Sequence, residues 1–122
     1  MQYLARIVAV TFIIVQGIGE TQSQNMPQWL DWLISSGHLV EDGRACGLVR
    51  PDEVNRIYRA VVMLSVVDDG LEPAKADRIL RVARDHARDE PMTDRTCEEA
   101  RRFLPKFRKV IAPFLERTSK AE

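Results

Sequence analysis

The sequence has few histidines and cysteines. It contains two histidines and two cysteines, and neither His38 nor His86 has a second histidine or a cysteine at metal-ligand spacing. A Gly-rich phosphate loop, a Gly-x-Ser-x-Gly elbow and a His-Glu-x-x-His pair are all absent, as is a Cys-x-x-Cys redox or zinc pair. We therefore predict a protein that is not an enzyme, with no catalytic residue, no metal site, no cofactor and solvated histidines.

An excess of charge of either sign is also missing. Lys+Arg and Asp+Glu each number 18, and because Arg6 is the only charged residue before Glu20, the rest of the chain has a net charge of about −1. Such a chain creates no global field that would attract nucleic acid. Aromatic residues, which stack on bases, make up only 7% of the chain. Nucleic acid is therefore not expected as a partner.

The most apolar segment is too short to cross a membrane and lies near the N-terminus. It spans residues 7–15, follows the single basic residue Arg6, and is followed by Gly17 and Gly19. A spanning helix needs about 20 apolar residues, whereas a secretory signal peptide has a shorter apolar region followed by small residues. The pattern predicts cleavage before Glu20.

Residues 1–19 are accordingly predicted to be a signal peptide, and residues 20–122 to form a single small helical domain in the periplasm or outside the cell. Residues 21–23 offer a second cleavage site. Two alternatives remain open, namely an uncleaved N-terminal anchor and a buried N-terminal helix. Contact with a membrane is expected only through an uncleaved signal segment.

The two cysteines fit an exported domain. Two well-separated cysteines in such a domain indicate one intramolecular disulfide. A bond between Cys46 and Cys97 would close a loop of about 50 residues and stabilise the fold by about 4 kcal/mol if its effect is entropic. Two free buried thiols and an intermolecular bridge are the alternatives.

Apolar spacing predicts a first helix near the start of the domain. It covers residues 24–36, contains Trp29 and Trp32, and ends at Gly37. A loop is expected over residues 38–50, because residues 41–43 form a Glu-Asp-Gly sequence that is typical of turns.

Two further helices are expected in the middle of the chain. The second helix opens at Pro51 and stops at Gly70, and its β-branched residues 61–67 also fit a strand. Their continuity with the amphipathic start of the segment favours a helix. The third helix starts at Pro73 and ends at Pro91, with a narrow seam of small apolar residues.

The fourth helix is predicted to begin at Thr93 or Thr96, and Thr96 with Glu99 matches a capping box. Its apolar residues recur in steps of three and four and form a seam that faces the other helices: Cys97, Ala100, Leu104, Phe107, Ile111 and Phe114. Because Cys97 begins this seam, its sulfur should point toward the core, which supports the disulfide.

Two prolines interrupt the fourth helical pattern. Each of Pro105 and Pro113 removes one helix hydrogen bond and costs about 3 kcal/mol in an uninterrupted helix. We expect a break or kink near residues 101–104 and another near Val110, and a frayed tail from Thr118. The predicted fold is all-α, a small irregular four-helix bundle with one disulfide.

Two surfaces are candidates for binding. The densest basic cluster could meet an acidic partner, anionic lipid or the polyanionic cell envelope, or be a solvated helix face: Arg101, Arg102, Lys106, Arg108 and Lys109. Trp29 and Trp32 could form an apolar surface for a membrane interface or a partner's groove, or could pack in the core.

Export, a disulfide-bonded bundle and the absence of catalytic motifs predict a non-catalytic interaction or structural protein with a protein partner in the cell envelope. In outline the chain also resembles the small periplasmic acid-stress chaperones, which share a signal peptide, a short helical chain and one disulfide. That resemblance implies, as the alternative function, a chaperone in which carboxylate protonation below about pH 4 leaves the chain cationic and partly opened.

Overall fold

A computed structural model describes residues 26–121, so the predicted signal peptide at residues 1–19 lies outside the described residues. The described part is all-helical. Its elements are α1 (Gln28–Ala45), a short 3-10 helix (Pro51–Glu53), α2 (Val54–Asp69), α3 (Pro73–Asp89) and α4 (Asp94–Ala121). The all-helical bundle is confirmed, and the strand alternative for residues 61–67 is wrong because the apolar residues of α2 are buried on a helix.

All four helices contribute to one core. α1 packs mainly against α3, and α2 packs mainly against α4. The most buried large side chains come from three helices and one connection: Leu33, Val40, Val49, Ile57, Val61 and Ile111. Within residues 26–121, no helix combines the length and the apolar character that a membrane crossing requires.

The predicted disulfide is confirmed. Cys46 follows the last residue of α1, and Cys97 lies in the first turn of α4. Their Cα atoms are 5.6 Å apart, and the bond joins positions 51 residues apart. The covalent ring therefore encloses α2 and α3 completely.

The predicted end of the first helix at Gly37 is wrong, and the predicted loop is wrong over residues 38–45 but confirmed over residues 46–50. α1 continues to Ala45 because its glycines serve close packing. A Cβ atom at Gly37 would lie 2.8 Å from Cβ of Ala83 on α3, and one at Gly43 would lie 2.8 Å from Val49 and 2.9 Å from Leu104. Such distances leave no room for a side chain, so α1 packs this closely at Gly37 and Gly43 because both residues lack one.

The other helix boundaries follow the sequence closely. α2 ends at Gly70, which has a φ of 68° that favours glycine. At the start of α4 the backbone N–H of Thr96 donates to Oγ1 of Thr93 at 3.2 Å, so Thr93 is the cap and Thr96 lies inside the helix. The predicted capping box of Thr96 with Glu99 is therefore wrong.

Of the breaks or kinks expected near residues 101–104 and Val110, the breaks are wrong. α4 is one continuous helix that contains both prolines. Pro105 and Pro113 are exposed, as are Arg101 and Lys109, whose carbonyl groups lose their helix partners. Water can hydrate those carbonyls while the opposite face of α4 is held by the core. The helix also continues past Thr118, which is buried.

Candidate functional site

A buried carboxylate lies where α1, α2 and α3 meet. Because α1 continues through the expected loop, Glu41 is only 2% exposed. Its oxygens accept from the Tyr58 hydroxyl and the Arg88 Nε, each at 2.7 Å. Arg44 and Arg84 lie at 3.4 and 3.7 Å. One carboxylate therefore links three helices through four partners.

The partners of Glu41 stabilise its charged form. Burial alone would raise the pKa of Glu41, but hydrogen bonds from Arg88 and Tyr58 and the charges of Arg88 and Arg44 outweigh it and hold the pKa below its usual value. Burial and the neighbouring carboxylate raise the pKa of Tyr58, and the bond to Glu41 raises the pKa of Arg88. At neutral pH, Glu41 is thus ionised and Tyr58 donates to it.

A groove lies beside this network, between α2, α3 and the end of α4. It has a volume of about 820 Å³ and an apolar floor that includes Val62, Met63 and Val66. Tyr58 and Arg84 belong both to its wall and to the Glu41 network. The Arg84 guanidinium stacks over the Tyr58 ring at 3.9 Å from its centroid. The groove and the charge network are therefore contiguous.

The predicted basic cluster divides into two groups. Arg101, Arg102, Lys106 and Lys109 lie on the exposed face of α4. Arg108 instead donates to the Glu53 carboxylate at 3.1 and 3.2 Å and to the Leu48 carbonyl at 3.1 Å. Arg108 thus joins α4 to the connection after α1, and its hydrogen bond lowers the pKa of Glu53.

The two tryptophans pack against the core rather than forming a separate surface. Both are partly buried and contact the core cluster. The Trp32 ring lies 5.5 Å from the ring of Phe107, and the Lys75 ammonium lies 5.1 Å from the Trp29 ring centroid. Of the two interpretations, the structure favours packing on the bundle.

The expectation that both histidines are solvated is wrong for His38. His38 lies in α1 and is 5% exposed, while His86 on α3 is exposed. Their ring centroids are 5.3 Å apart. Glu90 is within 3.9 Å of His38 and 3.3 Å of His86. In the described part of the chain, these three residues form a group whose ligand atoms lie within 4.8 Å of one another.

Sequence reasoning did not foresee either cluster. The spacing of His86 and Glu90, and of Arg84 and Arg88, places each pair on one face of a helix, which is a usable signal. The missing information was that α1 continues past Gly37, since this alone places His38 and Glu41 against α3.

Comparisons with known proteins add no relative from which a function could be transferred. No protein-family model, curated protein or solved structure matches this chain. The proposals below therefore depend on the geometry and chemistry of the chain itself.

Proposed function

We propose that this chain is an exported, non-catalytic interaction domain that binds a protein partner of the cell envelope through the groove between α2, α3 and α4. The observation that carries the proposal is the groove itself. Its volume of about 820 Å³ falls within the range of about 300–1,000 Å³ that is typical of binding pockets.

The disulfide supports export. A bond between Cys46 and Cys97 persists in an oxidising compartment such as the periplasm or the extracellular space. It also suits the predicted signal peptide at residues 1–19, which would deliver the chain to such a compartment.

The shape and charge of the groove favour an apolar helical segment with acidic flanks. Val62, Met63 and Val66 lie at i, i+1 and i+4, so they form a strip along α2 against which a second helix can pack. The charged residues of the wall are two arginines, Arg59 and Arg84, and one carboxylate, Asp77. Acidic residues beside the apolar face of the partner would complement this wall.

Binding to a defined peptide tests the groove. The probe is a synthetic amphipathic helix with a leucine face and glutamate flanks, titrated into the ¹⁵N-labelled oxidised protein. We expect the amide shifts to cluster on α2 around Met63 and Val66. The same peptide with lysine in place of glutamate should bind at least about fivefold more weakly, because it meets the arginines with like charge.

Two valine variants provide the matched comparison. Val66→Asp places a charge on the floor of the groove and should abolish binding, whereas Val82→Asp makes the same change at a 66% exposed residue of α3 outside the groove and should not. Equal binding of both peptides, or equal loss in both variants, would contradict the proposal. Preferential binding of a fatty acid over either peptide would assign the groove to a small ligand instead.

Intact mass measurement tests export. The native chain purified from its producing cell should begin at Glu20 or a few residues later. Its mass should rise by two hydrogens on reduction, since the disulfide takes up two protons and two electrons. A chain that retains Met1, or contains two free thiols when purified under alkylating conditions, would overturn the exported assignment.

A second candidate function, an acid-stress chaperone, is favoured by the Glu41 network. Because the pKa of Glu41 is lowered in the fold, its contribution to stability is present above the usual glutamate pKa and is lost as pH falls through the folded value. Protonation would leave Arg44, Arg84 and Arg88 facing a neutral group. Arg84 and Tyr58 also line the groove, so acid would loosen this part of its wall.

Suppression of aggregation at about pH 3 tests this candidate. The oxidised protein should open in acid, bind a hydrophobic dye and reduce light scattering by an acid-denatured client. Retention of the compact fold at pH 2–3, or unchanged scattering by the client, would exclude it.

A further inference from the structure

We propose that His38, His86 and Glu90 form a binding site for a divalent transition-metal ion, with Zn²⁺ as the ion that suits it. The site is separate from the groove, because none of its residues lines the groove. It goes beyond the proposed function, since binding of a partner segment requires no metal.

The distances are close to those of a coordination sphere. A tetrahedral site with metal–ligand bonds of about 2.1 Å has ligand atoms about 3.4 Å apart. Oε1 of Glu90 lies 3.3 Å from His86 Nδ1, and Oε2 of Glu90 lies 3.9 Å from His38 Nδ1. With one ligand atom taken from each residue, all three atoms lie within 4.8 Å of one another. Closing the longest separation requires a shift of roughly 1.4 Å at most.

The exposure of the three side chains is compatible with this shift. The His38 side chain is 6% exposed and its ring is held in the interior, whereas the His86 and Glu90 side chains are 48% and 33% exposed. Two adjustable ligands can therefore move toward one fixed ligand without disturbing the core.

The ligand set has the chemistry of a transition-metal site. Two imidazoles with one carboxylate are a common set for zinc and for other late first-row metals. Mg²⁺ and Ca²⁺ instead prefer oxygen ligands throughout. Three protein ligands leave a fourth position for water, and the exposed side of His86 and Glu90 gives an ion access to the site.

The location of the site also favours a cation. Glu90 is the C-terminal cap of α3, and His86 lies in the last turn of that helix. The C-terminus of a helix carries the negative end of its dipole, which attracts positive charge. A competing use of these residues is an ion pair between protonated His86 and Glu90, which are four residues apart. An ion pair between His86 and Glu90 would not explain why the buried His38 also lies beside Glu90.

The close packing of α1 on α3 assembles the site. Gly37 allows the backbone of α1 to approach Ala83. The adjacent residue, His38, is thereby brought next to the last turn of α3. A larger residue at position 37 would separate the ligand of α1 from the two ligands of α3.

Isothermal titration of the oxidised, metal-free protein with Zn²⁺ tests the proposal. We expect one zinc ion per chain, tighter binding of Cu²⁺ in accordance with the usual affinity order, and no binding of Mg²⁺ or Ca²⁺. Co²⁺ should give the visible absorption of a tetrahedral site. In NMR spectra, the ring nitrogen signals of both His38 and His86 should shift with zinc.

Charge-matched variants separate ligation from simple attraction. Because loss of even an outer hydrogen bond typically weakens metal sites by about 10–100-fold, His86→Gln and Glu90→Gln should each raise the Kd for zinc by at least about tenfold. Asp89→Asn removes the same charge one residue away and should change the Kd less than about threefold. We leave out His38→Gln, because a substitution at this buried residue would also affect folding.

The outcomes are decisive in either direction. Absence of zinc binding, or equal loss of affinity in Glu90→Gln and Asp89→Asn, would overturn the proposal. Zinc binding that shifts the ring signals of His86 but leaves those of His38 unchanged would also overturn it, because a surface pair of His86 and Glu90 would then hold the ion. None of these results depends on the groove or on its occupant.

Discussion

Replacement of Glu41 by glutamine offers the most direct test of how the helices are held together. The change preserves the shape of the side chain and removes its charge. Glu41 accepts two hydrogen bonds of 2.7 Å, from Tyr58 and Arg88. Hydrogen bonds that involve a charged group contribute about 1.5–3 kcal/mol each. Glutamine keeps one carbonyl acceptor, and the Arg88 side chain is 47% exposed, so solvent screens part of the loss.

We therefore expect Glu41→Gln to lower the free energy of unfolding by about 2–3 kcal/mol at pH 7. In urea titrations of the oxidised protein, with an m-value of about 1.5 kcal/mol per M for a domain of this size, the midpoint should fall by roughly 1.3–2 M. Asp77→Asn is the matched control. It neutralises a carboxylate in a 2.7 Å pair with Arg81 whose side chains are 54% and 69% exposed, and it should cost less than about 1 kcal/mol.

The pH dependence supplies a second readout for the same variant. Because the pKa of Glu41 is lowered in the fold, wild type gains its contribution above the usual glutamate pKa and loses it as pH falls through the folded value. The difference between wild type and Glu41→Gln should therefore shrink below about pH 4. A variant as stable as wild type at pH 7, or a difference that does not change in acid, would refute this reasoning.

Three further predictions concern packing, the disulfide and the helix prolines. A Cβ at Gly37 would lie 2.8 Å from that of Ala83, so Gly37→Ala should destabilise the fold by about 1–3 kcal/mol in urea titrations in spite of the higher helix propensity of alanine. Adding Ala83→Gly to the same chain should restore much of the loss. A neutral or stabilising Gly37→Ala would contradict the close approach. Reduction of the bond between Cys46 and Cys97 should lower the free energy of unfolding by about 4 kcal/mol, as measured in urea titrations with and without reductant. A loss below about 1 kcal/mol would show that the covalent ring adds little stability. Pro105→Ala should raise the free energy of unfolding by up to about 3 kcal/mol, because it restores a hydrogen bond on the exposed face of α4. A decrease in the urea midpoint would mean that the proline ring itself packs against the protein.

The sequence was sufficient for much of the fold, and the reasons are visible in particular residues. The seam from Cys97 to Phe114 has a helical period, so it predicts both the buried face of α4 and the direction of Cys97. Pro73 and Gly70 also mark helix ends for local reasons, since they act through their own backbone angles.

The errors share a different cause. Glycine inside a helix has low propensity, so local reasoning ends the helix at Gly37, whereas the cost is offset by contact with Ala83, 46 residues away in the sequence. The prolines of α4 were misjudged in the same way, because their cost depends on which face is exposed. The histidine cluster and the Glu41 network both follow from the continuation of α1, so neither could be predicted without that tertiary contact.

The covalent ring has a mechanical consequence. A force applied at the start of α1 and the end of α4 would pass along α1, through the bond between Cys46 and Cys97, and along α4. The chain segment between the two cysteines, which are 51 positions apart and which enclose α2 and α3, would stay outside the line of force. Reduction would place them in series and lengthen the fully extended chain by about 180 Å. The bond thus determines which half of the protein carries tension and which half is shielded from it.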